Sequence, residues 1–140
     1  YLKAHVQYNI PINNSFSIID KNMSTLLHDS VDKIVDELKK IPQLPTAMFC
    51  CNDLEAISLY KAFSAMGISV PDDISIIGFD DIESSKSVSP ELTTMHIYKE
   101  AMGERAVKKL IDRMNGHEYI EEKILLPVSL VERQSVKQIG

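Results

Sequence analysis

The sequence predicts an α/β domain in which a parallel sheet is sandwiched by helices, and three observations carry that prediction. Two short apolar runs without polar alternation, Ala47–Cys51 (AMFCC) and Ile74–Phe79 (ISIIGF), read as strands buried on both faces. Longer segments with apolar residues at steps of three and four alternate with them, as helices packed on a sheet require. No internal repeat, low-complexity tract or Gly/Ser linker divides the 140 residues, so no domain boundary is expected inside them. Parallel strands joined through helices imply right-handed crossovers.

In chain order, Ser15–Ile19 reads as a strand. His28–Lys40 reads as a helix with Val31, Ile34, Val35 and Leu38 on one face, closed by Pro42 and Pro45. AMFCC follows as a strand. Leu54–Met66 is helical, and Gly67 stands where a left-handed C-cap belongs. The Pro71-Asp72-Asp73 turn leads into ISIIGF, and Leu92–Ile97 reads as a further strand. Lys99–Asn115 is a long helix ended by Asn115-Gly116, followed by strand-like runs at Lys123–Leu126 and Val128–Glu132. The Leu54–Met66 helix has two apolar stripes, one of Ala56, Leu59, Phe63 and Met66 and another of Leu54, Ile57 and Tyr60. A helix apolar on two sides is usually sandwiched. Either its own domain or a second subunit can supply the second contact.

Composition narrows the function. With 44% hydrophobic residues, 25% charged residues and a net charge of -5, this is ordinary domain material without the basic surface that grips DNA or an anionic membrane. No run approaches the ~18 consecutive apolar residues of a membrane span. The opening YLKAHVQYNI lacks a start Met and any export-signal pattern, so an excised piece of a longer protein is expected. Cys50 and Cys51 are adjacent and would point to opposite faces of an extended chain, which prevents a comfortable bridge between them. They are expected as small apolar fillers of a buried strand, in a reducing, cytoplasmic compartment. Catalytic signatures are missing: there is no Gly-x-Ser-x-Gly and no His-Glu-x-x-His. Five separated glycines do not build a phosphate-cradling loop. His5, His28, His96 and His117 are scattered, and His28-Asp29-Ser30 reads as a helix start. The expectation is a binding protein with no cofactor, not an enzyme.

The candidate site follows from the strands. In an open parallel sheet, ligands bind where the carboxyl ends of strands meet loops and helix N-termini. Two pairs occupy such positions, Asn52-Asp53 after AMFCC and Asp80-Asp81 after ISIIGF. Short amide and carboxylate side chains there can hydrogen-bond the hydroxyls of a small polar ligand. Asn52 or Asp53 also suits a helix N-cap, and Asn52 is preferred as the ligand contact. Asp80 reads as the better ligand candidate of its pair, against a solvated turn carboxylate for Asp81. The cluster Asp80, Asp81 and Glu83 lacks the spacing and glycine of a calcium loop, so no metal is expected.

Four ordered blocks, PTAMF…ND, GISVPDDISIIGFDD, PELTT and the closing LLPVSLVERQSV, resemble the effector-binding domain of LacI/GalR-family transcription regulators. The resemblance is closest from Pro45 to about Arg133. It implies a periplasmic-binding-protein-like (type I) fold of two subdomains, with residues 1–140 as the C-terminal part. It also implies a small effector, often a sugar, in the cleft between the subdomains, and a homodimer that transmits binding to DNA-reading heads N-terminal to this segment. Asn52 and Asp80 would be effector contacts, the positions already found from the strand ends. Leu26 falls where family members often carry an aromatic that stacks on the effector. The dimer interface would take Leu54, Ile57, Ser58 and Lys61 from the helix, and Ser85 and Val88 from the following loop. The Lys99–Asn115 helix would belong with the preceding subdomain, leaving its apolar face in need of a partner. Solute-binding proteins of sugar transport systems use the same fold and form the alternative.

Overall fold

The computed structural model describes residues 2–11, 30–116 and 121–138. The expected strand Ser15–Ile19, the helix start His28-Asp29, and Leu26 and His117 lie outside the described residues.

Helix α1 spans Leu2–Gln7, a short element with no apolar pattern long enough to be read from sequence. Helix α2 spans Val31–Lys39 with Ser30 at the N-cap position, and it buries Ile34 and Leu38 one turn apart. Strand β1 is Ala47–Phe49, and α3 is Asp53–Ala65. Strand β2 is Ser75–Ile77, followed by a 3-10 turn at Glu83–Lys86. Strand β3 is Thr94–Ile97, α4 is Lys99–Met114, and β4 is Val128–Val131. Gly67 takes φ 71 after α3, the left-handed stop that the sequence anticipates.

Strands β1 and β2 pair in parallel, with Ala47 opposite Ser75 and Phe49 opposite Ile77. Strands β3 and β4 pair antiparallel, with Thr94 opposite Val131. Isolated parallel bridges at Ile77–Thr93 and Asp80–His96 stitch the two pairs together. The α/β class is as the sequence predicts, with one antiparallel edge added. Both apolar runs extend past their strands as hydrogen-bonded chain. Cys50 N donates to Ile77 O, Gly78 N to Thr93 O and Asp80 N to Met95 O.

The core joins Ile34 and Leu38 of α2 to Ala56, Ala62 and Phe63 of α3, and to Ile74, Ile76 and Leu92 of the sheet. Burying a side chain such as Phe63 contributes roughly 1.5–3 kcal/mol each, so this contact, rather than helix propensity, holds α2 and α3 in place. Leu59, Tyr60 and Met66 pack around its rim. The first stripe of the α3 helix therefore faces its own domain.

Three expectations need correction. Lys123–Leu126 forms no strand: its chain runs into Pro127, which has no N–H for a ladder, and Leu125 is exposed. The cysteines are not two buried fillers. Cys50 is buried while Cys51 is exposed, because the strand ends at Phe49 and the chain turns there into α3. Finally, β1 is not covered on both faces by the described residues, since Ala47 and Phe49 are exposed. In α4 no residue is buried, and Met102, Val107, Leu110 and Met114 are all exposed.

Candidate functional site at the strand ends

The structure brings the two predicted ligand positions together. Beyond β1 and β2 the chain stays in register: Asp53 N donates to Phe79 O at 2.9 Å, which sets the Asn52-Asp53 turn beside Phe79-Asp80. The N-terminus of α3 opens at the same place, so amide, carboxylate and helix dipole converge there.

The roles of Asn52 and Asp53 are divided. Asn52 is the N-cap, its side-chain oxygen accepting from Glu55 N at 2.8 Å. The preference for Asn52 as a ligand contact in place of a cap is thus corrected: it caps first, because its extended backbone (φ -154, ψ 168) suits that role. Its amide still has unused hydrogen-bonding capacity and remains half-buried. Asp53 is fully buried and serves the fold. Its carboxylate accepts from Thr94 Oγ1 and from Ile82 N, tying α3 to β3 and to the Asp80-Asp81 turn.

Asp80 and Asp81 both have positive φ, 113 and 49. Side-chain-bearing residues rarely occupy this region, and such outliers persist only where the surroundings over-determine them. Asp80 is held through its backbone by the Met95 carbonyl. Among the described residues no side-chain hydrogen bond or ion pair engages its carboxylate, which is half-buried.

Asp81 is no solvated turn residue, and here the expectation is corrected. Its Oδ1 meets Arg133 Nη2 at 2.6 Å and its Oδ2 meets His96 Nδ1 at 2.8 Å. Burial alone would raise its pKa, but Arg133 and His96 more than offset this and hold the carboxyl below its usual value. Arg133 is 9% exposed, and its Nη1 also donates to Ser85 Oγ and Leu92 O. The patterns around ISIIGF gave no hint of this anchor, because its partners lie more than 50 residues apart in the chain. The only trace was the Arg in the closing block.

Cys51 and Glu55 add a further pair at the rim, the thiol donating to Glu55 Oε2 at 2.8 Å. Partial burial and that hydrogen bond push the Cys51 thiol up to about 11, while burial pushes Cys50 up to about 12. Glu83 pairs with Lys86 and Asp81 with Arg133, so the acidic cluster is divided between two basic partners.

The predicted interface residues separate into two groups. Leu54, Ile57, Ser58 and Lys61 lie at steps of three and four on one face of α3, and Leu54 is 52% exposed. Ser85 is completely buried, donating to Ile82 O and accepting from Arg133. Val88 is half-buried against the chain's own core. Ser85 therefore has no surface for a partner, a correction explained by the arginine that it helps to seat.

Comparison with known proteins agrees with this geometry. The model of the periplasmic binding protein-like domain family matches residues 6–136. The chain belongs to that family. Its relatives are LacI-type regulators. It is 41% identical over 106 residues to the HTH-type transcriptional repressor PurR of Mannheimia succiniciproducens, covering 76% of this chain and 32% of that protein. It is 37% identical over 139 residues to the repressor ExuR of Bacillus subtilis, covering 99% of this chain and 40% of that protein. A LacI-type transcription regulator from Bifidobacterium animalis superposes with a TM-score of 0.76 at 26% identity, over 99% of this chain and 48% of that one. The lac repressor dimer bound to operator and the anti-inducer ONPF gives 0.66 at 34% identity, over 76% of this chain and 36% of that one. This LacI-type chain spans about a third to two fifths of the curated relatives' length.

Proposed function

We propose that this chain is the C-terminal part of the ligand-sensing domain of a DNA-binding transcription regulator, a repressor. In this reading it binds a small effector, a sugar or sugar derivative, at the carboxyl ends of β1 and β2. The observation that carries the reading is the Asp80 carboxylate, held at a positive φ beside the capped Asn52 turn with no side chain of the described residues engaging it. A carboxylate presented that way accepts hydrogen bonds from ligand hydroxyls. The curated relatives, named as repressors, support the regulatory part of the reading. The face of α3 with exposed Leu54 and Lys61 and half-buried Ile57 and Ser58 supports a homodimer contact.

The mechanism is linkage. An effector that favours one orientation of two subdomains changes DNA affinity, and DNA changes effector affinity by the same factor, typically worth ~1–3 kcal/mol. The test uses the natural polypeptide that contains this chain. It is mixed with fragmented genomic DNA in the presence of D-glucose, cellobiose, D-glucuronate or hypoxanthine. Specific fragments retained in a sugar-dependent manner support the reading. Sugar binding without any DNA retention would replace it with a solute-binding role, and retention altered only by hypoxanthine would overturn the sugar assignment.

A further inference from the structure

Asp53 is the only acidic side chain among the described residues that is fully buried. Sealed from solvent, it has no ligand contact in the effector reading. A buried carboxylate is costly unless its oxygens are bonded. Among the described residues no ion pair includes it, and hydrogen bonds hold it instead. Thr94 Oγ1 donates to Oδ1, and Ile82 N donates to Oδ2 at 2.9 Å. As the first residue of α3 it also lies at the positive end of the helix dipole. Gly78 makes room for it, because a Cβ there would stand 2.2 Å from Oδ1.

These bonds grip the turn that presents Asp80, and they grip it twice. Asp53 N donates to Phe79 O at 2.9 Å, and Asp53 Oδ2 accepts from Ile82 N at 2.9 Å. One residue therefore holds the chain immediately before and immediately after Asp80-Asp81. The two residues between are both at positive φ, 113 and 49, a backbone that persists only where its surroundings over-determine it. Met95 O binds Asp80 N from the β3 side, and Arg133 binds the Asp81 side chain. Those contacts hold the middle of the turn and leave its two ends to Asp53. The donor at Ile82 also fixes the chemistry required at position 53. A backbone N–H only donates, so it needs an acceptor there, whereas the Thr94 hydroxyl can donate or accept.

We propose that Asp53 is a positioning residue for Asp80: it brackets both ends of turn 79–82 and so fixes where the Asp80 carboxylate stands. It touches no ligand itself. The bracket belongs to the fold without effector, and its consequence rests on the effector-site reading. If Asp80 holds a sugar, loosening the bracket lowers affinity although Asp80 is intact, because binding must then also order the carboxylate. Asp53→Ala removes the acceptor and leaves Ile82 N unsatisfied. Asp53→Asn keeps an acceptor for Ile82 N and offers the Thr94 hydroxyl a donor, so it should restore what the alanine removes.

The test is hydrogen exchange on the natural polypeptide, read at the Asp80 amide by mass spectrometry with electron-transfer fragmentation. That amide is bonded to Met95 O and not to Asp53, so it reports the turn and not the lost partner. In Asp53→Ala its protection should fall about tenfold or more relative to the α2 amides, and in Asp53→Asn it should stay within about threefold of the unaltered protein. Phe63→Leu is the control for general destabilisation, and there Asp80 and α2 should lose protection in parallel. A parallel loss in Asp53→Ala, or an unchanged Asp80 amide, would overturn the positioning role. So would a loss in Asp53→Asn as large as that in Asp53→Ala. If Asp53→Ala fails to fold, Asp53→Asn decides by NMR. A neutral acceptor in place of a charged one should move the Ile82 amide proton upfield, and the Asp80 and Asp81 amides should move with it. A change confined to Ile82 refutes the bracket. These readings need no sugar, so a failed bracket is distinct from a misplaced effector site.

Discussion

Replacing Arg133 with methionine tests the packing logic of the site most severely. The guanidinium donates to Asp81 Oδ1 at 2.6 Å, Leu92 O at 2.6 Å and Ser85 Oγ at 2.9 Å, while being only 9% exposed. Methionine keeps much of the aliphatic stem but leaves all three acceptors without this donor. Leaving one partner of a buried ion pair uncompensated costs about 3–5 kcal/mol. Some relief is expected here, because His96 still meets Asp81 and that carboxylate is 14% exposed. A loss of about 3 kcal/mol is therefore the expectation, read as a lower urea midpoint at unchanged slope in equilibrium unfolding followed by circular dichroism. By contrast Lys86→Met, which removes an exposed pair with Glu83, should change stability by less than about 1 kcal/mol. Adding Asp81→Asn to Arg133→Met should restore part of the loss, since the stranded charge is then gone. A loss below about 1 kcal/mol for Arg133→Met, or strict additivity with Asp81→Asn, would refute the claim that this arginine anchors the turn.

A Cβ at Gly78 would collide with the Asp53 carboxylate and press on Leu92, so Gly78→Ala should destabilise by about 1–3 kcal/mol, measured by thermal melting. Asn52→Ala should cost about 1 kcal/mol of stability as a lost cap, whereas Asn52→Asp should largely preserve it; equal losses would remove the capping role. Asp81 has a depressed folded pKa, so it contributes stability above its unfolded value. That stability is lost as pH falls through the lower folded value, and Asp81→Asn should flatten the acid limb of the unfolding midpoint against pH. Cys51, held at about 11, should alkylate slowly with iodoacetamide at neutral pH despite its exposure, and Glu55→Gln should accelerate it while buried Cys50 stays inert.

Much of the fold was legible because its signals are local. Continuous apolar runs located β1 and β2, the three-four spacing located α2 and α3, and Gly67 marked where α3 stops. The strand-end rule also placed Asn52 and Asp80 together without any contact information. What escaped is non-local. Arg133 reaches back across 52 residues to Asp81, and no periodicity encodes such a pairing. The same arginine withdraws Ser85 from the surface, so a position read as interface by resemblance is buried in this fold. Capping is a competition between neighbours: Asn52 and Asp53 both suit the role chemically, and only the backbone at Asn52 decides it. The Lys123–Leu126 run shows the limit of apolar character alone, since a strand also needs a partner edge and Pro127 interrupts the ladder. The apolar residues Met102, Val107, Leu110 and Met114 of α4 and Val128 and Leu130 of β4 are exposed, so apolar spacing alone does not say which faces the described residues cover.

If Asp80 holds the effector, the effect is read by isothermal calorimetry of the natural polypeptide against Asp80→Ala, with a sugar that the unaltered protein binds. The alanine variant, still folded by circular dichroism, should lose about 1.5–3 kcal/mol of binding free energy, as expected when a hydrogen bond to a charged group is removed. Unchanged affinity in the folded variant would contradict it and move the site away from the strand ends.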